Sequence, residues 1–341
     1  MTHVLAVRLD NDGDVLLAGP AIRALAAGAD RVTLLCGPRG RQAAELLPGV
    51  DELLVWRAPW IDPEPEPVDR ADIDALVERI AALRVDAAVI FGSFHQSPLP
   101  TALVLRMAGV PFVAATSVDY PGALLDVRHR IADDAHEVER ALDLAAAAGF
   151  PLPPGDDAAL RVRRDGAAVA VPAGDYVVVH PGASVPARAW EPERNAELVD
   201  ALVAAGRRVV VTGAPSEAAL TATVAGRPRA AVTDLGGRTT LAELAGVLAA
   251  ARCVVVGNTG PAHLAAAVGT PVVSLFAPTV PAVRWRPWRV PHELHHVDVP
   301  CAGCRARACP VPGHPCLGGV AVVDVVRAVE RLAPVPVEVA A

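Results

Sequence analysis

The residues with the clearest chemical potential follow a short apolar run in the second half of the chain. Residues 254–256 are all valine, and Gly257, Asn258, Thr259, Gly260 and Pro261 come next. Proline suits the first turn of a helix, where a missing N–H group costs nothing. The pattern therefore predicts a strand, a loop and a helix, with free N–H groups at Thr259 and Gly260 that bind a diphosphate. An ordinary strand–helix turn capped by Thr259 fits the same residues.

A second apolar run, residues 176–179, leads into His180, a turn around Gly182, and Arg188 two positions before Trp190. A guanidinium fork matches phosphate oxygens, so Arg188 is the best candidate for neutralising a diphosphate. The alternative is an ordinary surface arginine, because every one of the 31 basic residues of this chain is arginine.

A third polar loop, residues 10–14, follows the first apolar run of the chain. Asp14 stands where this loop meets a helix, at the edge of the sheet where α/β proteins bind ligands. Its carboxylate could act as a general base, and Asp12 or Asp14 could equally cap the helix. A calcium loop of the EF-hand type is excluded, because its sixth and twelfth positions would be Val15 and Ala21.

Six cysteines raise the question of a further site. We expect Cys36 and Cys253 to be buried single thiols beside strands, whereas the others cluster near the C-terminus as Cys301, Cys304, Cys309 and Cys316. Four thiols at this spacing could hold zinc, although paired CxxC knuckles are absent. Reduced structural thiols are the alternative, since disulfides are rare in the cytosol.

Strand and helix patterns alternate in both halves of the chain, which predicts an α/β fold with doubly wound sheets. We expect strands at residues 4–9, 32–35 and 87–91 and helices near residues 15–29, 42–47 and 73–83. The proline-rich residues 58–70 are expected to form a loop. A proline-rich joint and a weakly patterned stretch predict two domains, residues 1–170 and 171–341.

Composition excludes some classes of protein. The net charge of −7 and the scattered aromatic residues argue against a nucleic-acid-binding protein. We see no secretory signal, and prolines break the long uncharged stretch at residues 264–283. We therefore expect a cytosolic protein, with at most a peripheral contact to a membrane.

Two segments, VHPGAS at residues 179–184 and NTGPAHLAAAVGTPVV at residues 258–273, closely resemble one family when combined with a basic residue two before Trp190. This is glycosyltransferase family 9, the ADP-heptose:lipopolysaccharide heptosyltransferases. The triplet Gly13-Asp14-Val15 and the cysteine tail are also similar to members of that family, so the resemblance spans nearly the whole chain. It implies the GT-B architecture, in which two Rossmann-like domains face each other across a cleft.

The resemblance implies a role for each matching residue. Asp14 would be the catalytic base, and Glu217 would accept from ribose hydroxyls unless it is merely a first-turn helix acid. His263 would face the phosphates or serve only in packing. The expected donor-binding residues are Gly13, Ser184, Arg188, Thr212, Gly213, Glu217, Asn258, Thr259, Gly260, Pro261 and His263. Many members carry Asp where this chain has Asn258, so the identity of the sugar stays open.

These residues lead to the hypothesis of an inverting glycosyltransferase that moves a sugar, heptose by family default, from a nucleotide donor to a glycan or lipid acceptor. The resemblance implies that a helix dipole and basic side chains replace a metal ion, so we expect neither metal nor cofactor. A monomer is expected. The alternatives are a transferase for another nucleotide sugar, a sugar-nucleotide epimerase, or a non-catalytic binding module.

Overall fold

The computed structural model describes residues 1–131, 134–164, 169 and 171–334. The chain divides into two compact units, Met1–Arg163 (unit one) and Arg164–Ala341 (unit two). Residue 170, where we expect the first domain to end, lies outside the described residues, as do residues 165–168. The expected domain boundary therefore stays a prediction.

Unit one alternates strands with helices, as its pattern predicts. Its strands are β1 (His3–Arg8), β2 (Arg31–Cys36), β3 (Glu52–Val55), β4 (Ala87–Ile90), β5 (Phe112–Thr116) and β6 (Val127–His129). Its helices are α1 (Asp12–Gly28), α2 (Arg41–Leu46), α3 (Arg70–Leu83), α4 (Leu99–Met107) and α5 (Glu137–Ala147). Residues 58–69 contain neither helix nor strand, which confirms the predicted loop.

Unit two repeats this plan. Its strands are β7 (Tyr176–His180), β8 (Arg208–Val211), β9 (Val232–Asp234), β10 (Cys253–Gly257), β11 (Val272–Leu275) and β12 (His292–His295). Its helices are α6 (Pro192–Ala204), α7 (Ala218–Ala225), α8 (Leu241–Ala250), α9 (Gly260–Ala267), α10 (Ala282–Trp285), α11 (Pro315–Gly318) and α12 (Val322–Leu332).

Each unit is built on one parallel sheet of six strands with the same order. The order is β3-β2-β1-β4-β5-β6 in unit one and β12-β11-β10-β7-β8-β9 in unit two. The first strand of each unit is buried at every position, as expected for a sheet covered by helices on both faces. Both orders are that of the Rossmann fold, which confirms the predicted fold class.

The strand order determines where a ligand can bind. In this topology the strand order changes direction between β1 and β4 in unit one, and between β7 and β10 in unit two. The register aligns Val7 with Ile90, and Val256 with His180, so the loops after these strands emerge side by side. Ligands of doubly wound sheets bind at such switch points, at the carboxyl ends of the strands.

The core of each unit is formed by its sheet and the helices that pack on it. In unit two, α12 contributes Val322, Val325 and Val329 to the same apolar cluster as the β7 residues Val177 and Val179. Among the described residues, we find no helix with both the length and the apolar character needed to cross a bilayer.

Candidate functional site

A buried cluster of charges lies at the switch point of unit one. Arg8, the last residue of β1, is only 3% exposed. Its Nε lies 2.9 Å from Asp10 Oδ2, and its Nη2 lies 3.0 Å from Asp14 Oδ1 and 3.6 Å from Glu137 Oε2. Arg140 contacts the other side of Glu137, with 3.4 Å between Nη1 and Oε1. Two cations thus pair with three carboxylates.

Asp14 is held on one side only. Its Oδ1 accepts from Arg8 and, at 3.4 Å, from the hydroxyl of Ser93, which follows β4. Its Oδ2 makes no hydrogen bond to any residue that the structure describes, and the side chain is 24% exposed. A carboxylate fixed through one oxygen and open at the other has the geometry that a general base requires.

The two other aspartates of this loop are differently placed. Burial raises the pKa of Asp10 to about 6, although Arg8 opposes this shift. Burial also raises the pKa of Asp12 to about 6, and the Asp12 carboxylate accepts the Ala43 N–H at 2.9 Å, which ties α1 to α2. Within the described residues, no three His, Cys, Asp or Glu side chains are arranged to hold a metal ion.

The alternative that an aspartate caps α1 is wrong. The N-cap residue is Asn11, and its side chain makes no capping hydrogen bond. Asp12 and Asp14 lie inside the first helical turn, and their carboxylates contact Ala43 and Arg8 instead. Their negative charge still favours the positive end of the helix dipole.

Burial and nearby charges also shift the pKa values of the groups around Asp14. Burial alone would lower the pKa of Arg8, but the nearby carboxylates raise it, so the guanidinium stays charged. Burial raises the pKa of Glu137 above its usual value, and Arg8 and Arg140 limit that rise. Arg8 thus remains a permanent cation beside Asp14.

In unit two, the loop between β10 and α9 has the predicted form, with Pro261 in the first turn of α9. One expected donor is occupied, because the Thr259 N–H donates to Gly257 O at 2.9 Å. Our expectation of a free amide at Thr259 is therefore wrong, since a tight turn uses it. The Thr259 side chain does not cap the helix either, and its buried hydroxyl has no partner among the described residues.

Arg188 and Asn258 meet in space, as the motif spacing suggested. Arg188 Nη1 lies 3.5 Å from the backbone oxygen of Asn258. Asn258 is 6% exposed; its Nδ2 donates to Ala277 O at 3.2 Å, whereas its Oδ1 has no partner in the described chain. A Cβ at Gly257 would lie 2.8 Å from Arg188 O, so only glycine permits this approach.

A second group lies where the loops after β7 and β8 meet. His180 Nδ1 is 2.9 Å from Thr212 Oγ1, and His180 Nε2 is 3.9 Å from Glu217 Oε2. Burial lowers the pKa of His180 to about 4, so the ring is neutral at pH 7. A Cβ at Gly182 would lie 2.1 Å from Glu217 Oε1, so this carboxylate packs directly on the glycine.

Glu217 makes the contact of a first-turn acid, and its proposed contact with ribose hydroxyls stays a prediction. Its Oε2 accepts the Ala214 N–H at 2.8 Å, as a first-turn acid does. The same carboxylate reaches the loop after β7, where it contacts Gly182 and lies close to Gly213. It is 20% exposed and so remains accessible to a hydroxyl group.

Three other residues that we expect to bind the donor lie at different places in the fold. His263 is buried one turn into α9, and Ser184 is exposed in the loop after β7. Gly13 lies with Asp14 in the first turn of α1 and therefore belongs to unit one. The structure thus brings Arg188, Asn258 and Thr259 together, and Thr212, Gly213 and Glu217 together, at adjacent strand ends of unit two.

The cysteine cluster lines a cavity of about 40 Å³ together with His314. Its four thiols are free: Cys301 and Cys304 are exposed, Cys309 is half-buried and Cys316 is buried. Burial raises the pKa of Cys316. Cys36 and Cys253 are also free and buried, which confirms the expectation of single thiols.

Sequence reasoning missed the residues that surround Asp14 and the ring that faces Glu217. They are Arg8, Ser93, Gln96, Glu137, Arg140 and His180. A charged residue at the end of an apolar strand was an available signal for Arg8. Nothing in the local sequence marks Glu137 as buried, because the first turn of a helix ordinarily exposes its acids.

The chain has relatives among known proteins. The sequence profile described as Glycosyltransferase family 9 (heptosyltransferase) matches residues 94–314. Lipopolysaccharide heptosyltransferase 3 of Escherichia coli is 36% identical over 33% of this chain and 34% of its own length. Lipopolysaccharide heptosyltransferase 1 of Pseudomonas aeruginosa is 35% identical over 51% of this chain and 48% of its own length. The chain thus spans between a third and a half of these curated relatives.

Solved structures share the fold over almost the full length. The family 9 glycosyl transferase from Veillonella parvula has a TM-score of 0.76 at 16% identity, with 97% of both chains covered. The E. coli heptosyltransferase WaaC with ADP has a TM-score of 0.73 at 21% identity, with 97% of this chain and 100% of that chain covered. At these identities the likeness concerns the fold.

Proposed function

Since the chain belongs to glycosyltransferase family 9, we propose that it is an inverting glycosyltransferase that uses a nucleotide-sugar donor and a glycan or lipid acceptor. The observation that carries this proposal is the environment of the Asp14 carboxylate. Its Oδ1 accepts hydrogen bonds from Arg8 and Ser93, whereas its Oδ2 accepts none from the described residues. Family membership supports the class of reaction, and this geometry supports Asp14 as the base.

In the proposed reaction, Asp14 Oδ2 takes the proton of an acceptor hydroxyl as its oxygen attacks the anomeric carbon of the donor sugar. The bond to the nucleoside diphosphate breaks as the new bond forms, and its electron pair leaves with the diphosphate. A single displacement of this kind inverts the anomeric centre. Removing the proton in the transition state contributes typically 10²- to 10⁴-fold in rate.

Unit two holds the leaving diphosphate in this proposal. The guanidinium of Arg188 neutralises its charge, and the N–H of Gly260 with the positive end of α9 supports it. The unpartnered oxygens of Asn258 and Thr259 bind the donor, because buried polar atoms gain most when a ligand completes their hydrogen bonds. Glu217 accepts from ribose hydroxyls, and the neutral His180 ring lies against that carboxylate.

The heptosyltransferase relatives and the solved complex of WaaC with ADP make ADP-heptose the first donor to test, and a lipopolysaccharide core the first acceptor. Asn258 favours a second candidate, a transferase for another nucleotide sugar, because an amide both donates and accepts where a carboxylate only accepts. Cytosolic residence, peripheral contact with a membrane-borne acceptor and a monomeric state belong to the same proposal.

The test is calorimetric binding of ADP, GDP, UDP and dTDP to the wild type and to Arg188→Ala. We expect ADP to bind selectively and Arg188→Ala to weaken it about 10- to 100-fold, the effect of losing a hydrogen bond to a charged group. The matched control is Arg194→Ala, because Arg194 lies on α6 and pairs only with Glu197 among the described residues.

Other results would revise the proposal at different levels. Selective binding of another nucleotide would replace the donor and keep the class. Binding without turnover in the presence of any acceptor would favour a non-catalytic module. Conversion of a sugar nucleotide without an acceptor would favour an epimerase, and an Arg188→Ala variant that binds like the wild type would remove Arg188 from the donor site.

A further inference from the structure

The hydroxyl of Ser93 has an unusual set of partners for a serine in a loop. Ser93 follows β4 and is 5% exposed. Its Oγ accepts from Arg8 Nη2 at 2.8 Å and donates to Asp14 Oδ1 at 3.4 Å. A hydroxyl has a single hydrogen, so the bond accepted from Arg8 directs that hydrogen towards Asp14.

The backbone of Ser93 is fixed by the same charge cluster. Its N–H donates to Gln96 Oε1 at 2.9 Å, and Gln96 Nε2 donates in turn to Asp10. Asp10 lies 2.9 Å from Arg8 Nε as an ion pair, so three hydrogen bonds and this ion pair connect Arg8, Ser93, Gln96 and Asp10 in a ring. Turning the Ser93 side chain away from Asp14 would break the buried hydrogen bond that its hydroxyl accepts from Arg8.

We propose that Ser93 is a positioning residue for sugar transfer: it and Arg8 fix Asp14 Oδ1, which leaves Oδ2 as the atom that receives the acceptor proton. This inference rests on the proposed function and assigns a role to a residue that does not itself touch the substrate.

The test compares Ser93→Ala with Ser93→Thr and Ser97→Ala. Ser93→Ala should lower kcat roughly tenfold and leave KM for donor and acceptor unchanged. Ser93→Thr keeps the hydroxyl and should recover most of the rate. Ser97→Ala is the matched control, because Ser97 is exposed in the same loop and its hydroxyl hydrogen-bonds, among the described residues, only with the Leu99 N–H.

A Ser93→Ala enzyme with an unchanged kcat, or with a defect in KM alone, would overturn the proposal. If Ser93→Ala does not fold, Ser93→Cys replaces it, since a thiol keeps the volume but donates weakly. The Asp14 carboxyl ¹³C resonance of the free protein separates this proposal from the proposed function. It should shift in Ser93→Ala and not in Ser97→Ala even if no sugar transfer is found, and an unchanged resonance contradicts the proposal.

Discussion

The carboxyl edges of the two sheets share a strand order but differ in how their polar groups are satisfied. In unit one, Arg8 and Arg140 pair with the carboxylates around them. In unit two, Asn258 Oδ1 and Thr259 Oγ1 are buried without partners among the described residues. A base must be held before its substrate arrives, whereas a donor site gains affinity when the ligand supplies missing partners. The proposed roles therefore predict that the edge of unit one is organised before any ligand binds, and that a ligand completes the hydrogen bonds at the edge of unit two.

The largest effect should come from removing the cation of unit one. Arg8→Met leaves three carboxylates in the cluster without their shared partner, and we expect it to lower the free energy of unfolding by about 3–5 kcal/mol. Chemical denaturation measures this loss. Arg8→Lys keeps the charge but loses the fork and should cost less. An Arg8→Met protein as stable as the wild type would show that the cluster is not held by its charges.

The two edges should also respond to pH in opposite directions. The folded-state pKa of His180, about 4, lies below its unfolded value, so stability is lost as pH falls from about 6.5 towards 4. The pKa of Asp10 is raised to about 6, so its contribution is present at low pH and is lost as pH rises from about 4 to 6.

Variants separate these two contributions. His180→Asn should remove the acid-side loss, which is on the order of 3 kcal/mol. Asp10→Asn should remove the part of the opposing loss that comes from Asp10, whereas the part that comes from Asp12, whose pKa is also raised to about 6, should remain. Denaturation at a series of pH values measures both. The same pH dependence in wild type and His180→Asn would mean that the ring is not held neutral in the fold.

The smallest effect tests whether unit two is completed by a ligand. Thr259→Val removes an unpartnered hydroxyl, so the free protein should change by less than about 1 kcal/mol while nucleotide affinity falls several-fold. The control is Thr240→Val, because the Thr240 hydroxyl caps α8 and its loss should cost about 1 kcal/mol without changing affinity. Equal affinity for nucleotide in Thr259→Val and wild type would contradict the comparison.

Much of the fold could be predicted because its signals are local. Runs of valine bounded by glycine predict buried parallel strands, and β10 and the β7 segment lie as expected. The carboxyl ends of neighbouring parallel strands must meet, so the proximity of Arg188 and Asn258 follows from topology. The family motifs then indicate which of these loops carry chemistry.

The rest depends on contacts that sequence distance conceals. Glu137 reaches Arg8 from α5, and Ser93 reaches Asp14 from the end of β4. Each side chain is ordinary in its own segment, and only the packing of the unit turns them into one cluster. At Thr259 the prediction is wrong for a local reason. Helix geometry alone would leave the Thr259 N–H free, but a tight turn uses it as the donor to the Gly257 carbonyl.

The most direct test of this account is the kinetics of Asp14→Asn with donor affinity measured on the same preparation. The amide cannot accept the acceptor proton, so kcat should fall about 10³-fold, while calorimetry should give a donor affinity close to that of the wild type. Asp12→Asn keeps an oxygen for the Ala43 N–H and should retain activity. Full activity in Asp14→Asn, or a loss confined to donor binding, would contradict the division between a base in unit one and a donor site in unit two.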